Sequence, residues 1–191
     1  MKTLFAAAIL LFISLKSMAQ DAPAPAETVM KEAYATAVKE NKKVLLIFHA
    51  SWCSWCRKME ASINDPSCSK LFNDSYVIVY LDVLEHADKK VLENPGANEF
   101  LDKFEDKNSS LPYFLVLDTK GNVLTDSNVR MNGKLASATE DNNLGCPVTE
   151  KEVDYFAQML RSTSKLSKSE LAVIKARFRK NEPVKPAPGT N

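Results

Sequence analysis

Five consecutive apolar residues, Val44-Leu45-Leu46-Ile47-Phe48, lead almost directly into Trp52-Cys53-Ser54-Trp55-Cys56-Arg57-Lys58. A strand with no polar residue offers neither face to water, so it belongs inside a sheet covered by helices on both sides, as in parallel α/β sheets. The two cysteines that follow are three apart at a strand-to-helix junction. There they can close a disulfide within one helical turn, and the positive end of the helix favours the thiolate form of the first. By position, Cys53 and Cys56 are a redox pair.

What such a pair does depends on its compartment, because oxidised cysteines persist outside the cytosol. Residues 1–19 carry Lys2, an apolar run from Leu4 to Leu15, and Ser17-Met18-Ala19, a small-x-small cleavage pattern. The run is short for a bilayer span, and the segment reads as a signal peptide. The expected protein is therefore exported, periplasmic or extracellular, with no membrane span after cleavage. Losing the two lysines of this segment turns the formal charge from +1 to −1. A near-neutral balance gives nucleic acid and anionic membranes no electrostatic hold, so neither is an expected partner. With 45% hydrophobic residues the chain can bury a core without disulfides, and its 4 cysteines are too few for a disulfide-built scaffold.

Along the remaining chain, residues 20–26 alternate Pro and Ala as an extended leader. Met30, Ala33, Tyr34, Ala37 and Val38 recur at the spacing of one helical face, and Asn41 is a plausible stop. After the cysteines the helix continues from Arg57 to Ile63, and Asp65-Pro66 breaks it before a short helical turn through Phe72. Val77 to Leu81 is a second apolar strand ending at Asp82. A charged helical segment follows, with Phe100, Leu101 and Phe104 on one side. Tyr113 to Leu117 is a third strand, and Asp118-Thr119-Lys120-Gly121 turns it into a hairpin with Asn122 to Leu124. Residues 127–147 read as an irregular polar insertion. Thr149 with Glu152, and Ser167 with Glu170, are capping boxes that open two further helices, carrying Val153, Phe156, Met159 and Leu160, and Leu171, Ile174 and Phe178. Strands separated by helices and closed by a hairpin indicate an α/β layer fold.

The order of these features resembles the thioredoxin superfamily: an apolar strand, Trp52-Cys53-Ser54-Trp55-Cys56-Arg57-Lys58, an intervening strand and helix, then Leu111-Pro112 before Tyr113-Phe114-Leu115 and a Gly-containing hairpin. It resembles more closely still the branch containing the C-terminal thioredoxin-like domain of the membrane thiol transporter DsbD. That branch also continues its active helix as Cys-Lys-x-x-Glu and an Asp-Pro step, matched here by Cys56-Arg57-Lys58-Met59-Glu60 and Asp65-Pro66. The resemblance implies a thioredoxin-like fold: a central mixed sheet with helices on both faces over residues 27–162. A C-terminal helical extension over 163–181 and a disordered tail over 182–191 would follow.

The resemblance also implies roles. Cys53, nearer solvent, would be the attacking thiolate and Cys56 the resolving thiol. Pro112 would be a cis-proline facing the cysteines, with the backbone of Leu111 pairing an extended substrate, and Trp52 would flank the disulfide as a contact surface. Thioredoxin has a buried carboxylate six residues before its first cysteine, and this chain has Ile47 there. Glu60, one helical turn beyond Cys56, is a candidate proton acceptor in its place, with a solvated helix-face carboxylate as the plainer reading. No cofactor or metal is implied: zinc needs four ligands, and there is no second CxxC or paired histidine. His49 reads as a strand-end side chain bonded to backbone and His86 as solvated. Cys68 and Cys146 stay open between buried free thiols and a second disulfide.

The expected function is that of an exported thiol-disulfide oxidoreductase acting on protein disulfides, reductive or isomerising rather than strongly oxidising. Its partners would be client proteins with disulfides or thiols and a DsbD-like membrane thiol donor. The rival reading is a non-catalytic binding module with a static disulfide, which Ile47 favours.

Overall fold

A computed structural model describes residues 22–104, 110–136 and 142–183. The expected signal-peptide segment, residues 20 and 21 of the expected leader and nearly all of the expected tail lie outside these residues.

Helix α1, Ala26–Glu40, opens the fold and ends where Asn41 adopts a left-handed conformation at φ 53. Ala26, placed by sequence at the end of the leader, is instead buried as the first residue of this helix. Its N–H donates to the Pro95 carbonyl at 2.9 Å. Strand β1, Lys43–His49, follows, then α2, Ser54–Ile63, and a short α3, Ser69–Ser75, beyond the Asp65-Pro66 break. Strand β2 is Tyr76–Asp82. A 3₁₀ turn at Ala87–Leu92 and the short helix α4, Ala97–Leu101, occupy the expected helical segment. Strand β3, Tyr113–Leu117, turns into β4, Val123–Asp126.

The sheet runs in the order β2-β1-β3-β4, with β1 parallel to β2 and antiparallel to β3. The unbroken apolar run of β1 has its expected cause. Val44, Leu46 and Phe48 join a core with Met30, Ala33 and Ala37 of α1, while Leu45 and Ile47 join a second core with Met59, Ile63, Phe72, Phe156 and Phe178. β2 forms where the second apolar strand was expected, but it is not covered as β1 is. It lies at the sheet edge, and Val77, Ile78 and Tyr80 stay partly exposed because strand and helix cover it only in part.

The capping boxes at Thr149–Glu152 and Ser167–Glu170 are both formed, and they open α5, Glu150–Thr163, and α6, Lys168–Arg179. The insertion is not irregular throughout. Strands β5, Arg130–Met131, and β6, Lys134–Leu135, pair as a small hairpin, and Asn128 bridges Asn143. Short polar strands of two residues carry no alternation for a sequence reading to detect.

The C-terminal helix does more than cover the second core. Arg177 Nε donates to Asp65 Oδ2 at 2.6 Å, and Asn181 Nδ2 donates to Ser62 Oγ at 2.8 Å. Lys58 Nζ donates to the Asn181 carbonyl at 3.4 Å. The far end of α2 is thereby fastened to α6. Hydrogen bonds from the Ser67 side chain and backbone, with Arg177 adding, hold the Asp65 carboxyl at about 2.

Candidate active site

Strand β1 delivers the cysteines to the edge of the core. His49 ends the strand, the Cys53 N–H closes a turn on the Ala50 carbonyl at 3.0 Å, and α2 begins at Ser54. Cys53 is the N-cap of α2, and its Sγ accepts from the Cys56 N–H at 3.1 Å. Cys53 and Cys56 are joined as a disulfide with α-carbons 5.3 Å apart. The helix therefore aims the Cys56 N–H at the first sulfur, the arrangement that stabilises a thiolate once the bond is reduced.

One expectation needs correction. Cys53 is not the more exposed residue of the pair, since both cysteines are 4% exposed. Capping folds the Cys53 side chain back over the first turn, and Ala50 and Leu111 share its apolar cluster.

The second wall of the site comes from β3. Phe48 pairs with Tyr113, so the residues just before β3 stand beside the end of β1 that leads to the cysteines. Those residues are Leu111 and Pro112, joined by a cis peptide bond as the resemblance implies. Asn143 of the insertion supports this loop by donating through Nδ2 to the Pro112 carbonyl at 3.0 Å and to the Ser110 carbonyl.

Two exposed indoles stand next to the cysteines in the chain. Trp52 is 44% exposed, its Nε1 donates to the Leu84 carbonyl at 2.9 Å, and its ring lies 5.7 Å from that of His86. Trp55 is 37% exposed, and the Lys58 ammonium sits 4.1 Å from its ring centroid. Leu84 projects outward as well, at φ 53, and its N–H donates to Asn98 Oδ1 at 3.1 Å. The rim is thus apolar, exposed and held by hydrogen bonds at its backbone. His86 is exposed as expected, but takes part in this rim.

Glu60 stands exposed on α2, one turn after Cys56, and its charge reaches Tyr80 and Asp82. His49 departs from the backbone contact expected of it. Its Nε2 lies 3.3 Å from Asp82 Oδ1, and its ring meets Tyr80 edge-on at 5.3 Å. Burial raises the Asp82 carboxyl above its ordinary range; His49 opposes that shift, and Glu85 and Glu60 add to it. Ile47, in the place of thioredoxin's buried carboxylate, is packed among apolar side chains.

Cys68 and Cys146 are buried free thiols in the second core. Burial pushes the Cys68 thiol up and the Cys146 thiol up to about 12, so neither supplies a thiolate at neutral pH. Among the described residues, no group of three or more His, Cys, Asp or Glu is arranged to hold a metal ion. No helix among them is long and apolar enough to cross a membrane.

Sequence reasoning missed Glu85 and Asn143, which fasten the cysteine loop and the proline loop. Both act across 30 or more positions, at separations of 34 for Ser51 with Glu85 and 31 for Pro112 with Asn143, and no local spacing announces them.

A family model described as a thioredoxin-like domain matches residues 30–133. No protein of curated function matches the chain at a significant level. Among solved structures, a disulphide isomerase from Xylella fastidiosa Temecula1 is similar at 24% identity. It covers 57% of this chain and 75% of its own, with a TM-score of 0.44. A protein named DsbH oxidoreductase is similar at 16% identity over 78% of this chain and 92% of its own, TM-score 0.45. The oxidised C-terminal domain of DsbD from Neisseria meningitidis is similar at 20% identity over 72% of this chain and 99% of its own, TM-score 0.43.

Proposed function

The chain belongs to the thioredoxin-like family, and from that premise we propose that it is an exported thiol-disulfide oxidoreductase that reduces or isomerises disulfides of client proteins. The observation that carries the reading is the Cys53–Cys56 disulfide at the N-terminus of α2, beside the cis Leu111-Pro112 bond.

In the reduced protein the Cys53 thiolate attacks one sulfur of a client disulfide. A bond forms between the Cys53 sulfur and that sulfur, and the client's other sulfur leaves as a thiolate that takes up a proton. Cys56 then loses its proton and attacks the Cys53 sulfur. The client's first sulfur leaves, and two electrons have passed from the cysteine pair to the client disulfide. Glu60 is the proposed acceptor of the Cys56 proton, directly or through water, since Ile47 has no proton to exchange. Trp52 and Leu111 with Pro112 would present the extended client segment to Cys53.

Turnover needs the dithiol restored, and a membrane thiol donor of the DsbD kind is the proposed supplier. The signal-like pattern of residues 1–19 supports export to the periplasm or beyond. A reductive rather than strongly oxidising role fits Ser54-Trp55, which places no extra cation between the cysteines. Ile47 favours a second reading, a binding module with a static disulfide.

Insulin reduction by dithiothreitol separates the two. Wild type should accelerate precipitation of the reduced insulin chains, and Cys53→Ser should return the rate to background. Equal rates for the two proteins would establish the binding module.

A further inference from the structure

We propose that Glu85 is a positioning residue for the reactive cysteine: its buried carboxylate fixes the loop that carries Cys53 and, through its charge, disfavours the Cys53 thiolate, keeping the pair reducing. The proposal rests on the reading of Cys53 as the attacking sulfur.

Glu85 is 3% exposed. A carboxylate so deeply buried is ordinarily paired with a cation. Among the described residues Glu85 forms no ion pair. Both of its oxygens are instead spent on one residue, accepting the Ser51 N–H at Oε1 and the Ser51 hydroxyl at Oε2, the latter at 2.8 Å. Ser51 stands two positions before Cys53, and its carbonyl accepts from Arg57 on α2 at 2.8 Å. Its neighbour Trp52 is bonded to Leu84, the residue before Glu85. The loop into the cysteine pair is therefore clamped to the end of β2 at three points.

The clamp is itself anchored. The Glu85 N–H donates to Glu93 Oε1 at 2.7 Å, and Asn98 Nδ2 donates to Glu93 Oε2 at 3.0 Å. The charged and titratable groups around it are Asp82 from β2 with His49 from β1 beside it, Glu93 with Lys90 of the 3₁₀ turn paired to it at 2.7 Å, Arg57 from α2 and His86 in the same loop. Among the described residues Lys90 pairs with Glu93 and His49 lies 3.3 Å from Asp82, so Glu85 is the carboxylate of this group with no cation paired to it, and its charge opposes the helix dipole at the first cysteine. A like charge near a thiolate disfavours it. Less thiolate stabilisation means a less stable reduced form and a more reducing couple. The chemical step is unchanged: the client disulfide is the oxidant and the Cys53/Cys56 dithiol the reductant.

The test uses the full chain and two variants whose effects should have opposite signs. In Glu85→Gln the size is kept and the charge removed. At a pH below the thiol's pKa, Cys53 of the reduced protein should react with iodoacetamide about threefold faster, from loss of a screened charge interaction. The equilibrium with glutathione should move about threefold toward the dithiol. In Ser51→Ala the carboxylate loses a donor and is less neutralised, so Cys53 should react more slowly than in wild type. Mass spectrometry of the Cys53 peptide separates its alkylation from that of the other cysteines. A Glu85→Gln protein that melts earlier but keeps the wild-type alkylation rate and glutathione equilibrium would reduce Glu85 to a structural brace and overturn the proposal. Should that variant fail to fold, Ser51→Ala decides, since Ser51 is exposed: slower alkylation supports the proposal, and an unchanged or faster rate overturns it. These readings need no client, so a wild-type protein inactive on insulin would sink the functional reading while leaving the Glu85 effect measurable.

Discussion

Cys56→Ser should convert a turnover catalyst into a trap. Cys53 keeps its place as the N-cap of α2 and its helix N-terminus, so attack on a client disulfide proceeds. No neighbouring sulfur remains to attack the mixed disulfide, because Cys68 and Cys146 are buried in the second core with thiol pKa values pushed up by burial. Insulin turnover should fall at least about a hundredfold, since two groups that act as a unit fail together. Non-reducing electrophoresis of an extract exposed to Cys56→Ser should show adducts that dithiothreitol releases and that Cys53→Ser,Cys56→Ser lacks. Adducts persisting in the double variant would assign the reactive sulfur to Cys68 or Cys146 and overturn the roles given to the pair.

Phe178→Ala should cost about 3–5 kcal/mol of stability, the usual range for removing a fully buried ring. Phe178 is wholly buried, and its ring centroid lies 5.0 Å from Phe156 and 6.3 Å from Phe72. Phe156 in turn meets Phe114 of β3 edge-on at 5.5 Å. The last helix thus completes a ring cluster resting on the central sheet. The same helix grips the end of α2 through Arg177, next to the Asn181 contacts, so local loosening should also reach the cysteine helix. Urea unfolding followed by tryptophan fluorescence measures the cost, with Trp52 and Trp55 reporting at the site. A loss under about 1 kcal/mol would mean that α6 is an appendage and that the second core closes without it.

Legibility followed locality. β1, the cysteine pair and both capping boxes are short-range signals, and each formed where its residues stand. β2 was visible as a strand, but its edge position was not, because an apolar run does not reveal how many neighbours will cover it. The hairpin of residues 130–135 escaped notice, as two-residue polar strands have no period to read. At the site, Cys53, Cys56 and the cis Leu111-Pro112 bond were expected from the order of motifs. The equal burial of the two cysteines was not, because it depends on the cluster they form with Leu111 and Ala50, which only the fold brings together. Glu85 and Asn143 lay beyond sequence reasoning for the same cause: a glutamate in a charged loop and an asparagine in a polar insertion look solvated until the fold brings Ser51 and Pro112 to them.

The account stands on Cys53–Cys56 being a pair that cycles rather than a static staple. Its reduction potential, measured by equilibration in glutathione buffers, tests this most directly. The account predicts a reversible two-electron couple at about −270 to −180 mV, the span from thioredoxin to protein disulfide isomerase. A value below about −300 mV, where structural disulfides of secreted proteins lie, would contradict it.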